Sequence, residues 1–380
     1  MSDPVAAMTA RLPELLDDIG ELVTCESPSA DLAAVAGSAD VVSSIGERLL
    51  GVAPERIVID GRTHLRWRLG GTPDPAGRPR VLLLGHHDTV WPIGSLKTHP
   101  FSVTDGVLRG PGCFDMKTGL VMALHAVAAL GSPDGVTILV TGDEEIGSPS
   151  SRGLIEQEAA GCRAALVLEA SADGGALKTT RKGTSLYHVR AVGRAAHSGL
   201  EPERGVNATI ELAHQVLAVS AAADPGRGTT VTPTAMSAGT TLNTVPAMGE
   251  LAIDVRMWDP AEQLRVDAAI RALMPVVPDA VLEVSGGPNR PPLAAGSSAA
   301  LFARACEIAH GLGLPPLTQA AVGGASDGNF TAGVGTPTLD GLGAVGGGAH
   351  ADHEHVLLEA LPGRTALLAA LLDNLLDGTS

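Results

Sequence analysis

The chain has almost no aromatic residues: Phe, Tyr and Trp make up 2% of its 380 residues, against 44% apolar residues in all. Its core must therefore be built from Ala, Val and Leu. Positive charge is short as well. Lys and Arg number 26 against 42 Asp and Glu, a formal charge of −16 at pH 7. That field argues against nucleic acid or an anionic membrane as a partner, and an acidic substrate would need a local cluster of Arg to overcome it. The four cysteines, Cys25, Cys113, Cys162 and Cys306, form no CxxC pair and no regular framework. This usage fits a reducing cytosol, with each cysteine a small buried residue. No apolar run approaches the ~18–20 residues of a membrane span. The N-terminal residues lack a basic stretch followed by an apolar core and a cleavage site. The expectation is a soluble, cytoplasmic protein.

What the chain does have is length, glycine and a recurring way of ending its strands. At 380 residues it is long for one core and suggests two domains. Gly (47) and Pro (26) are scattered through periodic segments, so disorder is a poor reading. Residues 136–148 read VTILVTGDEEIGS, an apolar run that meets Gly142 and then three carboxylates, Asp143, Glu144 and Glu145. Such a run suits a strand buried on both faces of a parallel sheet. In open α/β sheets, ligands bind beyond the carboxyl ends of the strands. Three adjacent anions need either full solvation, as an acidic turn, or a strong counter-charge.

The arrangement recurs twice. Residues 81–84 lead into GHHDTV, which puts His86, His87 and Asp88 at a strand's carboxyl end, and residues 164–168 run straight into Glu169. Alternate residues of an extended segment point the same way, so His86 and Asp88 can reach one centre. Asp88 could then accept the second ring N–H of His86; a polar loop is the bland alternative. A buried strand that ends in an unpaired carboxylate is costly, so Glu169 wants a cation.

Helical spacing runs over residues 5–50, through Leu12, Leu15, Leu16 and Ile19, with a Ser-Pro loop at 26–29. Short strands are expected at 57–59 and 65–69. The turn RGPGCFDMKTGL feeds a helix over 118–130, with Asp115 at its mouth as either a cap or a ligand. After Lys178 the pattern changes. Residues 186–192 and 251–258 alternate strictly, the mark of antiparallel strands with one wet face. Between them a helical stripe runs through Val206, Ile210, Ala213 and Leu217, and a second helix is expected at 264–273. Beyond residue 290 the chain returns to helices and short apolar runs, reaching GGGAHADHEHV and a Leu-rich helix at 361–376. The fold class is α/β, a mixed, mostly parallel sheet flanked by helices, with an inserted α+β block. The expected boundaries are 1–179, 180–290 and 291–380.

His86, Asp115, Glu145, Glu169 and a histidine of the 350–355 cluster form a set mixing imidazole with carboxylate, which suits zinc or a neighbour such as cobalt or manganese. Five ligands exceed one open tetrahedral site and fit two metals sharing a bridging carboxylate. A spare carboxylate beside the metals would serve as general base and then acid, and the Glu144–Glu145 pair offers one ligand and one base.

HHDTV, GPGCFDMK, TGDEEIGS, VLEA and GAHADHE, in this order from about residue 80 onward, resemble the metallopeptidase family of glutamate carboxypeptidase, acetylornithine deacetylase, succinyl-diaminopimelate desuccinylase and aminoacylase. The resemblance implies a zinc exopeptidase-like catalytic domain, two Zn²⁺ per subunit, and an inserted dimerisation or lid domain. It implies that His86 and Glu169 hold one metal, Glu145 and His350 the other. Asp115 would bridge them, Glu144 would be the base and Asp88 would orient His86. His87, His353 and His355 are left to supporting or surface roles. By the same similarity the Asp115–Met116 peptide is expected to be cis. GRAAHSGLEPERGVNA is similar to the segment whose histidine, here His197, polarises the scissile carbonyl in the partner subunit's site of a homodimer. Asn243, Arg256 and Arg290 lie where glutamate-type enzymes hold the substrate carboxylate, and Arg matches a carboxylate bidentately. A surface charge on a wet strand face is the equal alternative for Arg256. The implied activity is hydrolysis of an amide beside a free carboxylate in a small-molecule substrate, releasing a C-terminal amino acid. An N-acyl amino acid deacylase is the runner-up and a non-catalytic metal-dependent binding protein the third reading.

Overall fold

The computed structural model describes residues 3–70 and 80–377. The chain divides into two compact units, one drawn from Met1–Thr180, Leu293–Val322 and Ser326–Ser380, the other from Arg181–Pro292 with Gly323–Ala325. The short return of residues 323–325 to the second unit was not legible in the sequence. It is fixed by Arg181, whose Nη1 donates to the Gly324 carbonyl at 3.0 Å.

The first unit is built on a six-stranded mixed sheet. Its strands are β1 (Glu55–Ile59), β2 (Arg62–Arg68), β3 (Val81–His86), β4 (Val136–Thr141) and β5 (Ala164–Val167), closed by the two-residue strand Thr338–Leu339. The spatial order is β1-β2-β4-β3-β5 and then Thr338–Leu339. The β1–β2 and β2–β4 pairs are antiparallel, and the rest are parallel. Continuous apolar runs mark the strands covered on both faces. Val81 and Leu83 of β3 join the core formed with the helices Leu12–Thr24, Leu32–Leu50, Thr118–Ala128 and Leu361–Leu376. Leu82 and Leu84 pack on the other face against Leu154, Ile155 and Phe330. Each such side chain contributes about 1.5–3 kcal/mol when fully buried. Asp31 caps the helix Leu32–Leu50 through the amides of Ala33 and Ala34, and Gly51 (φ +71°) ends it in the left-handed region.

The second unit is an antiparallel sheet of β6 (Gly183–Val192), β7 (Thr230–Ala238), β8 (Met248–Met257) and β9 (Val281–Arg290), in the order β7-β8-β6-β9. Tyr187, Val189, Leu251, Ile253 and Val255 point inward to two helices, Ala208–Ser220 and Pro260–Arg271. One expectation fails here. The stripe of Ile210, Ala213 and Leu217 is not the buried face: Ile210 is 51% and Leu217 71% exposed. The helix instead buries Leu212, Gln215, Val219 and Glu211, because the Glu211 carboxylate accepts hydrogen bonds from the amides of Val276 and Val277. A polar residue with fixed partners has taken the inward face, and an apolar row is left outside.

Candidate metal centre

Three adjacent parallel strands deliver the centre. β3 ends at His86, β4 ends at Thr141 just before the acidic turn, and β5 ends two residues before Glu169. Parallel neighbours present their carboxyl ends along one edge, so these residues converge. Asp115 comes from the irregular turn Cys113–Lys117, and the Asp115–Met116 peptide is cis. It is not a helix cap, since the helix starting at Thr118 has no side-chain cap. His350 follows Gly346–Gly347 and holds φ at +61°, a left-handed conformation that costs a non-Gly residue and tends to occur at functional sites.

His86 Nε2 lies 3.7 Å from Asp115 Oδ1 and 3.7 Å from Glu169 Oε1. His350 Nε2 lies 3.2 Å from Asp115 Oδ2 and 3.1 Å from Glu145 Oε2. Asp115 thus offers one oxygen to each imidazole. His86 Nδ1 is 3.0 Å from the Asp88 carbonyl oxygen and 3.4 Å from Asp88 Oδ1, so the main chain, more than the carboxylate, takes its proton. The Asp88 carboxylate accepts from Ser29 Oγ at 2.6 Å and from the amides of Glu144 and Glu145 at 3.2 and 3.3 Å. One buried residue therefore orients the first histidine and the acidic turn together.

The chemistry of this donor set fits a divalent cation. With Nδ1 donating outward, the lone pair of His86 Nε2 faces the carboxylates, and that buried atom has no hydrogen-bond partner; neither does Glu145 Oε1. Ligand atoms ~2.0–2.2 Å from a tetrahedral zinc stand about 3.3–3.6 Å from one another. The separations here, 3.1–3.7 Å, bracket that range. His86, Asp115 and Glu145 bring ligand atoms within 4.8 Å of one another, and so do His86, Glu144 and Glu169.

Electrostatics point the same way. Hydrogen bonds donated to the Asp115 and Glu145 carboxylates push the His350 imidazole up to about 10. Burial pulls His86 down, but Asp115 and Asp88 outweigh it and leave the ring above its ordinary value. Burial raises Asp115, yet its bond with His350 and the charge of nearby His86 hold it well below the usual carboxylate range, whereas burial keeps Glu145 above it. A cluster that pulls protons onto two imidazoles is short of positive charge, and a divalent cation supplies that charge by displacing them.

Sequence reasoning missed two carboxylates that build the centre. Asp143 stands beside Glu144 and Glu145 in the sequence, but it turns away and accepts from Ser150 N (2.8 Å), Ser150 Oγ (2.6 Å), Ser151 N (3.3 Å) and Ser151 Oγ (2.5 Å). Glu354 hides between two histidines in GAHADHEHV and accepts from Trp91 Nε1 (2.7 Å) and from the amides of Gly112, Phe114 and Asp115 (2.9, 2.8 and 3.0 Å). It holds the turn that carries Asp115. The signal available was an acid embedded in the last motif. Among the remaining histidines, His87 is buried with Nε2 3.0 Å from the Thr63 carbonyl. His353 is exposed, and His355 Nδ1 pairs with the His353 carbonyl.

In the second unit, His197 and Asn243 are neighbours. Ser198 N donates to the Asn243 carbonyl at 2.9 Å, and His197 bridges Thr244. The exposed His197 ring accepts at Nδ1 from the amides of Gly199 (3.1 Å) and Leu200 (3.2 Å), which puts its proton on Nε2. Arg256 grips Asp254 on its own strand face, with Nε at 2.8 Å from Oδ1 and Nη2 at 2.8 Å from Oδ2. Arg290 is buried, and its carbonyl accepts from Gln263 Nε2 at 3.0 Å.

Fold and site together define a hydrolytic metalloenzyme. The chain belongs to the peptidase family M20/M25/M40, which residues 82–374 match. It is 30% identical to carboxypeptidase G2 of Pseudomonas sp. (strain RS-16) over 97% of this chain and 91% of that one. It is 32% identical to succinyl-diaminopimelate desuccinylase 2 of Shewanella loihica over 52% of this chain and 58% of that one. Its fold matches an M20 family metallo-carboxypeptidase from Sulfolobus solfataricus with a TM-score of 0.73 at 16% identity, covering 96% of this chain and 98% of that one. Among the described residues, no helix is long and apolar enough to cross a membrane.

Proposed function

We propose that this protein is a dinuclear zinc carboxypeptidase, cleaving an amide beside a free carboxylate and releasing a C-terminal amino acid such as glutamate. The observation that carries the substrate class is the likeness to carboxypeptidase G2 over 97% of the chain; the desuccinylase likeness spans 52%. His86 and Glu169 would hold one ion, His350 and Glu145 the other, with one oxygen of Asp115 to each. Bound there, the ions supply Lewis acidity and lower the pKa of a water they share. Glu144 takes the proton from the attacking water and passes it to the leaving amine. Its amide is anchored on Asp88, so the carboxylate starts from a fixed backbone. Asn243, Arg256 and Arg290 are assigned to the substrate carboxylate; for Arg256 this requires exchanging Asp254 for the substrate.

The reading includes a homodimer formed through the second unit. Its support is the uncovered apolar row of Ile210 and Leu217, together with the edge strand β7, where Met236 is 51% exposed. His197 presents Nε2–H as a donor, as needed to polarise a carbonyl in the partner's site. Co-refolding Glu144→Gln with His197→Ala tests this: heterodimers regain up to about a quarter of wild-type activity if sites are shared across a two-fold axis. Inactive mixtures shown to contain heterodimer would contradict sharing.

The substrate class is tested by a release assay on zinc-loaded protein. Dipeptides ending in glutamate should turn over faster than N-acetylornithine or N-succinyl-diaminopimelate. The reverse order assigns the deacylase activity instead, and no turnover of any of them sinks both readings.

A further inference from the structure

One buried charge in the first unit is explained by nothing in the metal centre. Arg364 sits in the first turn of Leu361–Leu376 and is 8% exposed. Its Nη2 donates to the Gly341 carbonyl at 2.9 Å, while its buried Nε has no partner. No carboxylate among the described residues pairs with it, and burial holds its pKa down at about 10. Buried guanidinium groups are normally matched by an anion, because an unmatched buried cation is costly. The position adds to that cost, since the first turn is the positive end of the helix dipole.

Arg364 lines a cavity of about 510 Å³, within the ~300–1,000 Å³ usual for small-molecule sites. The other walls are mostly apolar, from Leu314, Pro315, Leu317, Val345 and Leu367. Glu359 also lines it and is exposed, a negative charge that weighs against doubly charged ligands such as phosphate. The geometry points to an accessory binding site for a small monocarboxylate with an apolar body. The carboxylate lies on Arg364, where the planar guanidinium matches it, and the hydrocarbon part lies against Leu314, Leu317 and Leu367. The site uses none of the metal-centre residues. Gly174–Gly175 and Val345 of its wall nevertheless belong to the segments that carry Glu169 and His350, which are tied together by Ser171 N to the Ala344 carbonyl at 2.9 Å.

The test follows thermal unfolding of the full-length protein after removal of metal by a chelator, so that the metal centre cannot account for carboxylate binding. The probes are hexanoate, 4-phenylbutyrate and the uncharged 4-phenylbutyramide. At least one acid should raise Tm saturably and the amide should not, as expected for a ligand that binds only the native state. Arg364→Met should abolish the shift while unfolding cooperatively at or above the wild-type temperature, because Met fills similar space without an unmatched charge. Ala360→Trp, which narrows the cavity, should raise the acid concentration needed at least tenfold. An equal shift in Arg364→Met, an equal shift with the amide, an unchanged response in Ala360→Trp, or no shift with either acid would overturn the assignment. The outcome does not depend on catalysis, so it stands or falls separately from the proposed function.

Discussion

Asp143 and Glu145 are two residues apart on one turn, yet they are treated differently by their surroundings. Asp143 receives four hydrogen bonds from Ser150 and Ser151 and is fully buried. Glu145 keeps one buried oxygen with no donor and turns the other to His350 at 3.1 Å. The same contrast separates Glu354, fed by one indole and three amides, from Asp115, which faces two imidazoles. A carboxylate saturated with neutral donors needs no cation and serves as scaffold. A carboxylate paired with imidazoles can exchange them for a cation. Four acids that look alike in the sequence thus divide into two that hold the centre together and two that are available to metal.

The contrast can be broken from either side. Asp115→Ala should have the largest effect: both ions lose a ligand, so metal content falls below two equivalents and activity drops to background. Two tightly bound equivalents in that variant would remove Asp115 from the bridging role. Glu144→Gln should lower kcat by ~10²–10⁴ with metal content near wild type, since a base is lost and the ligands remain. Near-normal turnover would place the base elsewhere. Asp143→Asn, one residue away, should do the opposite. It strands buried serine donors and costs about 2–4 kcal/mol of stability, while kcat and metal content below the melting range stay near wild type. A loss of metal without a loss of stability would show that Asp143 is no mere scaffold.

The smallest effect concerns His87. Burial pulls its pKa down to about 4. Because the folded pKa lies below the unfolded one, the unfolded chain takes the proton first as pH falls. The stability contribution present above pH ~6.5 is therefore lost progressively toward pH 4, about 1 kcal/mol of it between pH 7 and 5.5. In metal-free protein, His87→Gln should flatten the stability–pH slope over this interval by that amount. An unchanged slope would mean that His87 is not buried as a neutral ring.

Much of the fold was legible because its signals are local. The unbroken apolar runs of β3, β4 and β5 state that both faces are covered, and their last residues name the edge where His86, the acidic turn and Glu169 gather. Strict alternation in β6 and β8 marked the second unit equally well. What escaped was decided by partners far away in sequence. Nothing in the string DEE tells which acid turns toward Ser150 and Ser151. Glu354 draws its donors from residues some 240 positions earlier. The helix Ala208–Ser220 shows an apolar row that reads as a core face, and the amides of Val276 and Val277 select the other side. Arg256 reads equally as a carboxylate receptor and as a surface charge until Asp254, two residues back, is seen in its fork.

On this reading Asp115, Glu145, Glu169 and the two imidazoles together hold a pair of ions. Anomalous diffraction at the zinc edge from crystals grown with zinc tests it most directly. The account predicts two peaks, one among His86, Asp115 and Glu169 and one among His350, Asp115 and Glu145, with none near Asp143. A single peak, or Glu144 in place of Glu145 as the ligand, would contradict it.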